Sequence, residues 1–220
     1  MNFELAREKM VDCQIRPNNV TRHEILAAML SVPREEFVGD EMRELAYLDR
    51  DIEIQNTGGK ARYMMAATPL SKLIQLADPQ SENVALVVGS GNGYSCALLS
   101  MLVMSVVALE EDNTLAEQSG ERLSSLGYDN VVVLSGALNE GWEREAPYDI
   151  ILVEGSVEEI SERLLDQLAE DGRLVAVVGQ GNAAQATLFH KTDGLVGKRE
   201  VFNCSIPKLP GFERIEGFSF

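Results

Sequence analysis

From residue 69 onward the chain alternates short aliphatic runs with stretches of helical periodicity. The runs are Val84–Val88, Val106–Leu109, Val131–Leu134, Ile150–Val153 and Leu174–Val178, each of four or five residues. Aliphatic runs of this length without polar alternation read as strands buried on both faces. Between them, Glu111–Leu126 and Glu158–Leu168 carry apolar residues at helical spacing. The βαβα rhythm predicts an α/β fold, a doubly wound Rossmann-like parallel sheet covered by helices on both faces. Ala184–His190 and Arg199–Ile206 predict late strands, and the turn-rich Lys208–Glu213 leads into a terminal tail.

Upstream, Leu5, Met10, Val11 and Ile15 fall on one helical stripe. After the break at Pro17, Thr21 is expected to cap a second helix carrying Ile25, Leu26, Met29 and Leu30. Periodicity fades between Pro33 and Thr68, and Gly58-Gly59-Lys60 marks a flexible loop within a long connection, a kind of segment that is often functional. The expected organisation is one structural unit. Residues 1–68 form an N-terminal helical cap with a substrate loop, and residues 69–220 form the sheet domain with its tail.

Charge narrows the range of partners. With 19 basic against 35 acidic residues the net charge is −16, and such a polyanion repels phosphate backbones and anionic lipid heads. Neither nucleic acid nor a membrane is an expected partner. The opening Met1–Pro17 lacks the uninterrupted apolar stretch of a secretory signal, and the most apolar stretch, Ala97–Leu109, falls short of the ~20 residues needed to span a bilayer. Cys13, Cys96 and Cys204 are far apart and form no paired motif, which reads as reduced thiols, a cytoplasmic protein and no metal site.

The strand at Val84–Val88 runs straight into Gly89-Ser90-Gly91-Asn92-Gly93, followed by a helical Tyr94–Met101. Glycines permit positive φ and close approach of a ligand, while free N–H groups at the next helix attract negative charge. In an open parallel sheet this crevice holds nucleotide-like ligands. A dinucleotide fingerprint would need glycine at Tyr94, and no Gly-Lys-Ser/Thr follows for a phosphate-binding loop, so neither of those motifs fits. The second strand ends in Glu110, then Glu111 and Asp112. A carboxylate there can accept both hydroxyls of a ribose, which points to an adenosine ligand; alternatively, the glycines only make a turn and the acids cap the next helix.

At this point the chain resembles the protein-L-isoaspartate O-methyltransferases, over roughly residues 8–180. The resemblance is carried by Met10-Val11, Gln14-Ile15, Ile25–Met29, Val32-Pro33-Arg34-Glu35, Phe37-Val38, Ala46-Tyr47 and Asp49, and continues through Gly136, Gly141-Trp142, Ala146–Asp149 and Gly172–Val175. It implies the methyltransferase form of the fold and S-adenosylmethionine as methyl donor, with S-adenosylhomocysteine as product. It further implies transfer to the carboxylate of isoaspartyl residues in proteins. Gly89, Ser90, Gly91 and Gly93 would cradle the donor, Glu110 and Glu111 would lie at its ribose, and Gly136, Ala137 and Leu138 would lie near the adenine.

The chain departs from the family's pattern at several of these places. The family's acid two positions before the first loop glycine is Val87 here, and its Gly-Asp-Gly is Gly136-Ala137-Leu138. Its Gly-x-Thr-x-Ser-x-Pro substrate segment is replaced by Gly58–Met65, without the serine to which activity is attributed, so no catalytic residue is assigned. Arg62 and Lys60 are candidates to hold a substrate carboxylate, though solvated cations on a mobile loop are the plainer expectation; Tyr63 shares that loop. Glu154, after the fourth strand, would attract a sulfonium and repel a carboxylate substrate. These departures motivate two alternatives: an offshoot with weak or no cofactor binding that acts as a protein-binding module, or a methyltransferase with a different acceptor.

The remaining chemistry-bearing residues read as structural. His23 and His190 lack partners at metal spacing, Trp142 reads as a packing anchor, and Cys96 as a small core residue. Glu140–Asp171 holds eleven acids against Arg144 and Arg163, a solvated face or a surface for a basic partner. The apolar Leu209–Phe212 and Phe218–Phe220 suggest a tail that docks on its own domain or on a second copy of the chain.

Overall fold

A computed structural model describes residues 1–57 and 60–212 of the chain. The elements run α1 (Phe3–Met10), α2 (His23–Ser31), β1 (Ile52–Thr57), β2 (Lys60–Met64), α3 (Ala67–Ala77), β3 (Val84–Val88), α4 (Tyr94–Ser100) and β4 (Ser105–Glu110). They continue with α5 (Asn113–Ser125), β5 (Val131–Ser135), β6 (Tyr148–Val157), α6 (Glu162–Asp166), β7 (Leu168–Val178), β8 (Gln185–Thr192) and β9 (Leu195–Asn203). Each of the five aliphatic runs lies within a strand. The main sheet has the order β5-β4-β3-β6-β7-β8-β9; β3 to β7 pair in parallel, and β8 and β9 add antiparallel strands at one edge.

Strand alternation divides the core in two. Ala85, Val87, Val106, Ala108, Ile150, Leu152, Val175 and Val177 share one buried cluster with Ile25, Met29, Leu70, Leu73, Tyr94 and Leu98 of the helices. Leu86, Val88, Val107, Leu109, Ile151, Val153, Leu174 and Ala176 form the opposite face, with Leu138, Ile160, Leu164, Leu209 and Phe212. The in-register pairs Ala85↔Val106 and Ala85↔Ile150 keep each row aligned across the sheet. The second face is more thinly covered than expected. The helix anticipated at Glu158–Leu168 contracts to Glu162–Asp166, because Leu168 already opens β7, and turns and the chain's end supply the rest of the cover.

The N-terminal part differs from the sequence reading in two places. Thr21 does not cap α2: the residue before that helix is Arg22, with no side-chain cap, and the Thr21 N–H donates to Gln75 Oε1 of α3 at 2.8 Å. The long connection is not an open loop either. Short 3-10 turns at Arg34–Phe37 and Asp40–Leu45 lead to an antiparallel hairpin of β1 and β2, with Ile52 opposite Met64 and Gln55 opposite Arg62. Ile52 and Ile54 alternate with Glu53 and Gln55, a half-buried strand pattern too short to stand out.

The residues that carried the opening resemblance hold this cap together. Fully buried Arg34 donates through Nε to Ala46 O and through Nη2 to Met65 O, and stacks over the Tyr94 ring with 4.7 Å to its centroid. Glu35 accepts hydrogen bonds from Arg7 and from the Tyr47 hydroxyl. At the other end of the chain, Leu209 and Phe212 dock on the chain's own sheet, while the aromatic end at 218–220 lies outside the described residues.

Candidate functional site

The glycine turn forms where the sequence places it, between β3 and α4. Gly89 and Gly91 take φ of +79° and +53°, a region that L side chains disfavour. Several of the turn's own donors are used within the chain. The N–H groups of Gly89 and Ser90 both reach Leu109 O, that of Gly93 reaches Ser90 O, and that of Tyr94 reaches Asn92 Oδ1. Asn92 Nδ2 donates to Phe37 O at 2.5 Å and ties the turn to the N-terminal cap. The buried Ser90 hydroxyl has no hydrogen-bond partner.

Glu110 ends β4 against this turn and is wholly buried. Its Oε2 accepts from the Gly91 N–H at 2.8 Å, and its Oε1 accepts from the N–H groups of Glu111 and Asp112 at 2.9 and 3.2 Å. A fourth donor comes from across the crevice. Arg62 of β2 places Nη1 2.5 Å from Glu110 Oε1 and Nη2 2.9 Å from Gly89 O. The sequence reading expected Arg62 to be a solvated cation on a mobile loop; at 8% exposure it is a buried ion-pair partner. A buried carboxylate that would otherwise stand unpaired in low dielectric selects this geometry.

Other side chains fill the space above the turn. A methyl group on Gly89 would lie 2.7 Å from Leu209 Cδ1, and one on Gly91 would lie 3.1 Å from Ile54 Cδ1. Leu209 is held by a bridge between Lys208 and Ser156, with its N–H on Ser156 O at 2.8 Å. The cavity left among Arg62, Tyr63, Glu154 and Leu209 measures about 20 Å³, room for about one water. Glu154, on β6, accepts a 2.5 Å hydrogen bond from Ser95 Oγ. Burial pushes its carboxyl up to about 7, offset in part by that bond and by Arg62.

The other expected site residues are more scattered. Glu111 is exposed, and its neighbour Asp112 caps α5 through the N–H groups of Thr114 and Leu115. The capping alternative therefore holds for Asp112 and not for Glu110. Gly136 touches the site only through its N–H on Glu110 O; Ala137 is exposed and Leu138 is buried in the second core cluster. Gly136 and Ala137 line a separate open cavity of about 980 Å³ with Trp142, Arg144, Arg163 and Gln167. Tyr63 points its hydroxyl to Glu53, 3.4 Å away and exposed. Gly58 and Gly59 and the Lys60 side chain lie outside the described residues, as does any metal-site question there; among the described residues no cluster of His, Cys, Asp and Glu is arranged to hold a metal. Ile54, Ser95 and Leu209 belong to the site and were not anticipated in it. The Ile52/Ile54 alternation and the apolar tail were the available signals for two of them, and Ser95 had none.

The model of the family "Protein-L-isoaspartate(D-aspartate) O-methyltransferase" matches residues 5–207. The chain belongs to this family. Protein-L-isoaspartate O-methyltransferase 2 of Pelobacter propionicus is 36% identical over 216 residues, covering 95% of this chain and 91% of that one. Two solved structures share the fold. A protein-L-isoaspartate O-methyltransferase superposes with a TM-score of 0.83 at 23% identity, over 94% of this chain and 67% of that one. A Plasmodium falciparum structure described as a putative protein-L-isoaspartate O-methyltransferase, in complex with S-adenosyl-L-homocysteine, superposes with a TM-score of 0.77 at 21% identity, over 96% and 99%.

The family's donor, S-adenosylmethionine, fits the backbone of this site and not its present side chains. The glycine turn and the acid at the end of β4 are built as a nucleoside site requires. Room beside the turn is small: ligand pockets run to roughly 300–1,000 Å³, and the cavity bounded by Arg62, Tyr63, Glu154 and Leu209 holds about 20 Å³. Two further acids are missing, since the positions concerned hold the fully buried Val87 and the exposed Ala137.

Proposed function

We propose that this chain carries out the reaction of its family, methyl transfer from S-adenosylmethionine to the side-chain carboxylate of isoaspartyl residues in proteins. The observation that carries the reading is the glycine turn joined to Glu110 at the C-terminal end of a parallel sheet, with the Gly91 N–H 2.8 Å from Glu110 Oε2. Family membership over residues 5–207 supports the same acceptor class. When bound, the donor supplies a methyl group on a sulfonium, a good leaving group. A carboxylate acceptor is already a nucleophile, so the protein's task is alignment and exclusion of water rather than proton transfer. The chain's own part is to hold the turn rigid through Asn92 and Glu110, and to keep Glu154 neutral in the more acidic range, where it does not repel an incoming carboxylate.

The compartment we assign is the cytoplasm, where isoaspartyl proteins would be repaired. The three cysteines are free thiols, and among the described residues no helix is long and apolar enough to cross a membrane. Incubation with an isoaspartyl peptide and methyl-labelled S-adenosylmethionine tests the reading: label in a base-labile ester is expected, and its absence from a folded protein that binds the donor would assign a different acceptor. A second reading, a non-catalytic member that acts by binding other proteins, is favoured by one observation, the Arg62–Glu110 pair lying in the donor crevice.

A further inference from the structure

We infer that the donor crevice is closed from within: Arg62, Ile54 and Leu209 stand where a nucleoside has to lie, so that donor binding requires the hairpin β1–β2 and the segment 206–209 to withdraw. The inference rests on the proposed function only in taking this crevice for the donor site.

Acceptor capacity is the first argument. A carboxylate offers about four acceptor positions, and Glu110 already receives four donors: Arg62 Nη1 and the N–H groups of Gly91, Glu111 and Asp112. The three N–H groups belong to the turn and to the strand end and cannot leave without unfolding them. Three of the four fall on Oε1 and one on Oε2; Arg62 is the one donor carried on a side chain, so a ribose that engages both carboxylate oxygens has to displace it from Oε1.

Room is the second. Glycine at 89 and 91 lets some group approach the backbone closely, and the groups that do so are Leu209 Cδ1, Arg62 Nη2 and Ile54 Cδ1. They come from two segments remote in sequence from the turn, one on each side of it. Leu209 is anchored by backbone bonds to Ser156 at the end of β6, and Gly155 beside it admits Leu209 so closely that a methyl group there would lie 2.7 Å from Leu209 Cβ. The chain has shaped β6 to receive this segment. The buried Ser90 hydroxyl in the same turn has no hydrogen-bond partner, as a turn closed over by hydrocarbon and guanidinium in place of a hydroxyl-rich ligand would leave it.

The closure makes Arg62 an autoinhibitory contact. Its guanidinium gives the carboxylate a hydrogen bond that a ribose hydroxyl would otherwise give, and it does so from the hairpin that stands in place of the family's substrate segment. Calorimetric titration with S-adenosylhomocysteine, alongside thermal unfolding with and without it, tests this on the parent chain, Arg62→Ala and Leu209→Ala. At least tenfold tighter binding is expected in Arg62→Ala and at least threefold in Leu209→Ala, with a larger upward Tm shift on adding ligand than the parent gives. Should Arg62→Ala fail to fold, Leu209→Ala leaves the ion pair intact and carries the test. Parent binding that is equal to or tighter than that of the folded variants overturns the closure and leaves the proposed function standing. Tightened binding without methylation of an isoaspartyl peptide upholds the closure and overturns the proposed acceptor. No binding by the parent or any folded variant overturns both.

Discussion

Glu110 ends a strand whose residues Val106–Leu109 are all buried and paired on both sides, to β3 and to β5, and itself pairs with Ser135 of β5. Arg62, its partner across the crevice, sits on a two-stranded hairpin paired only to itself. The sheet wall of the crevice is over-determined: remove any one contact and neighbouring strands still hold Glu110 in place. The hairpin wall is not, since a two-stranded ribbon is marginal alone and takes its position from what its side chains reach. Ile52 and Met64 anchor its base in the core, Gln55 reaches Asp112, and Arg62 reaches Glu110. A ligand site with one rigid and one yielding wall can be closed by the yielding one.

Three measurements sharpen or break this contrast. The largest effect is expected from Glu110→Ala, which leaves a buried guanidinium and three backbone N–H groups without their acceptor and should cost about 3–5 kcal/mol in urea unfolding. A loss below about 1 kcal/mol would mean that the sheet wall does not depend on this carboxylate. Next is the dependence on pH. Glu154 titrates near 7 in the folded chain against an ordinary 4.5, so the folded state binds the extra proton between those values. The contribution of Glu154 to stability should be full below about pH 4.5 and should be lost as pH rises through 7, by up to about 3 kcal/mol. Glu154→Gln should flatten that part of the curve, and an unchanged slope would place the titration elsewhere. The smallest effect is expected from Asp112→Ala, which removes the α5 cap and the link to Gln55 and should cost about 1 kcal/mol. Hydrogen exchange in that variant should rise in β1 and β2 before it rises in β4.

Much of the sheet wall was legible in the chain. The runs Val84–Val88 and Val106–Leu109 read as strands because four or five consecutive aliphatic residues, buried on both faces, have few alternatives, and Gly89-Ser90-Gly91 between strand and helix reads as a tight turn for an equally local reason. The hairpin wall was hard to read. Ile52-Glu53-Ile54-Gln55 is only one alternation long, and Arg62 beside Lys60 and a Gly-Gly pair looks like any exposed basic residue. Thr21 carried a plausible cap chemistry and lost to Gln75, whose side chain arrives from a different helix.

Local pattern by itself determined the order of the strands of the main sheet, the glycine turn and the acid at the end of β4, because backbone preference and side-chain alternation act over a few residues. Together with the matched segments it also indicated the family. Tertiary structure alone decided what the acid binds and what covers the glycines. The Arg62–Glu110 pair joins residues 48 apart, and Leu209 reaches Gly89 from the far end of the chain. Contacts at that range follow from how the whole sheet closes on itself, and no spacing along the sequence encodes them.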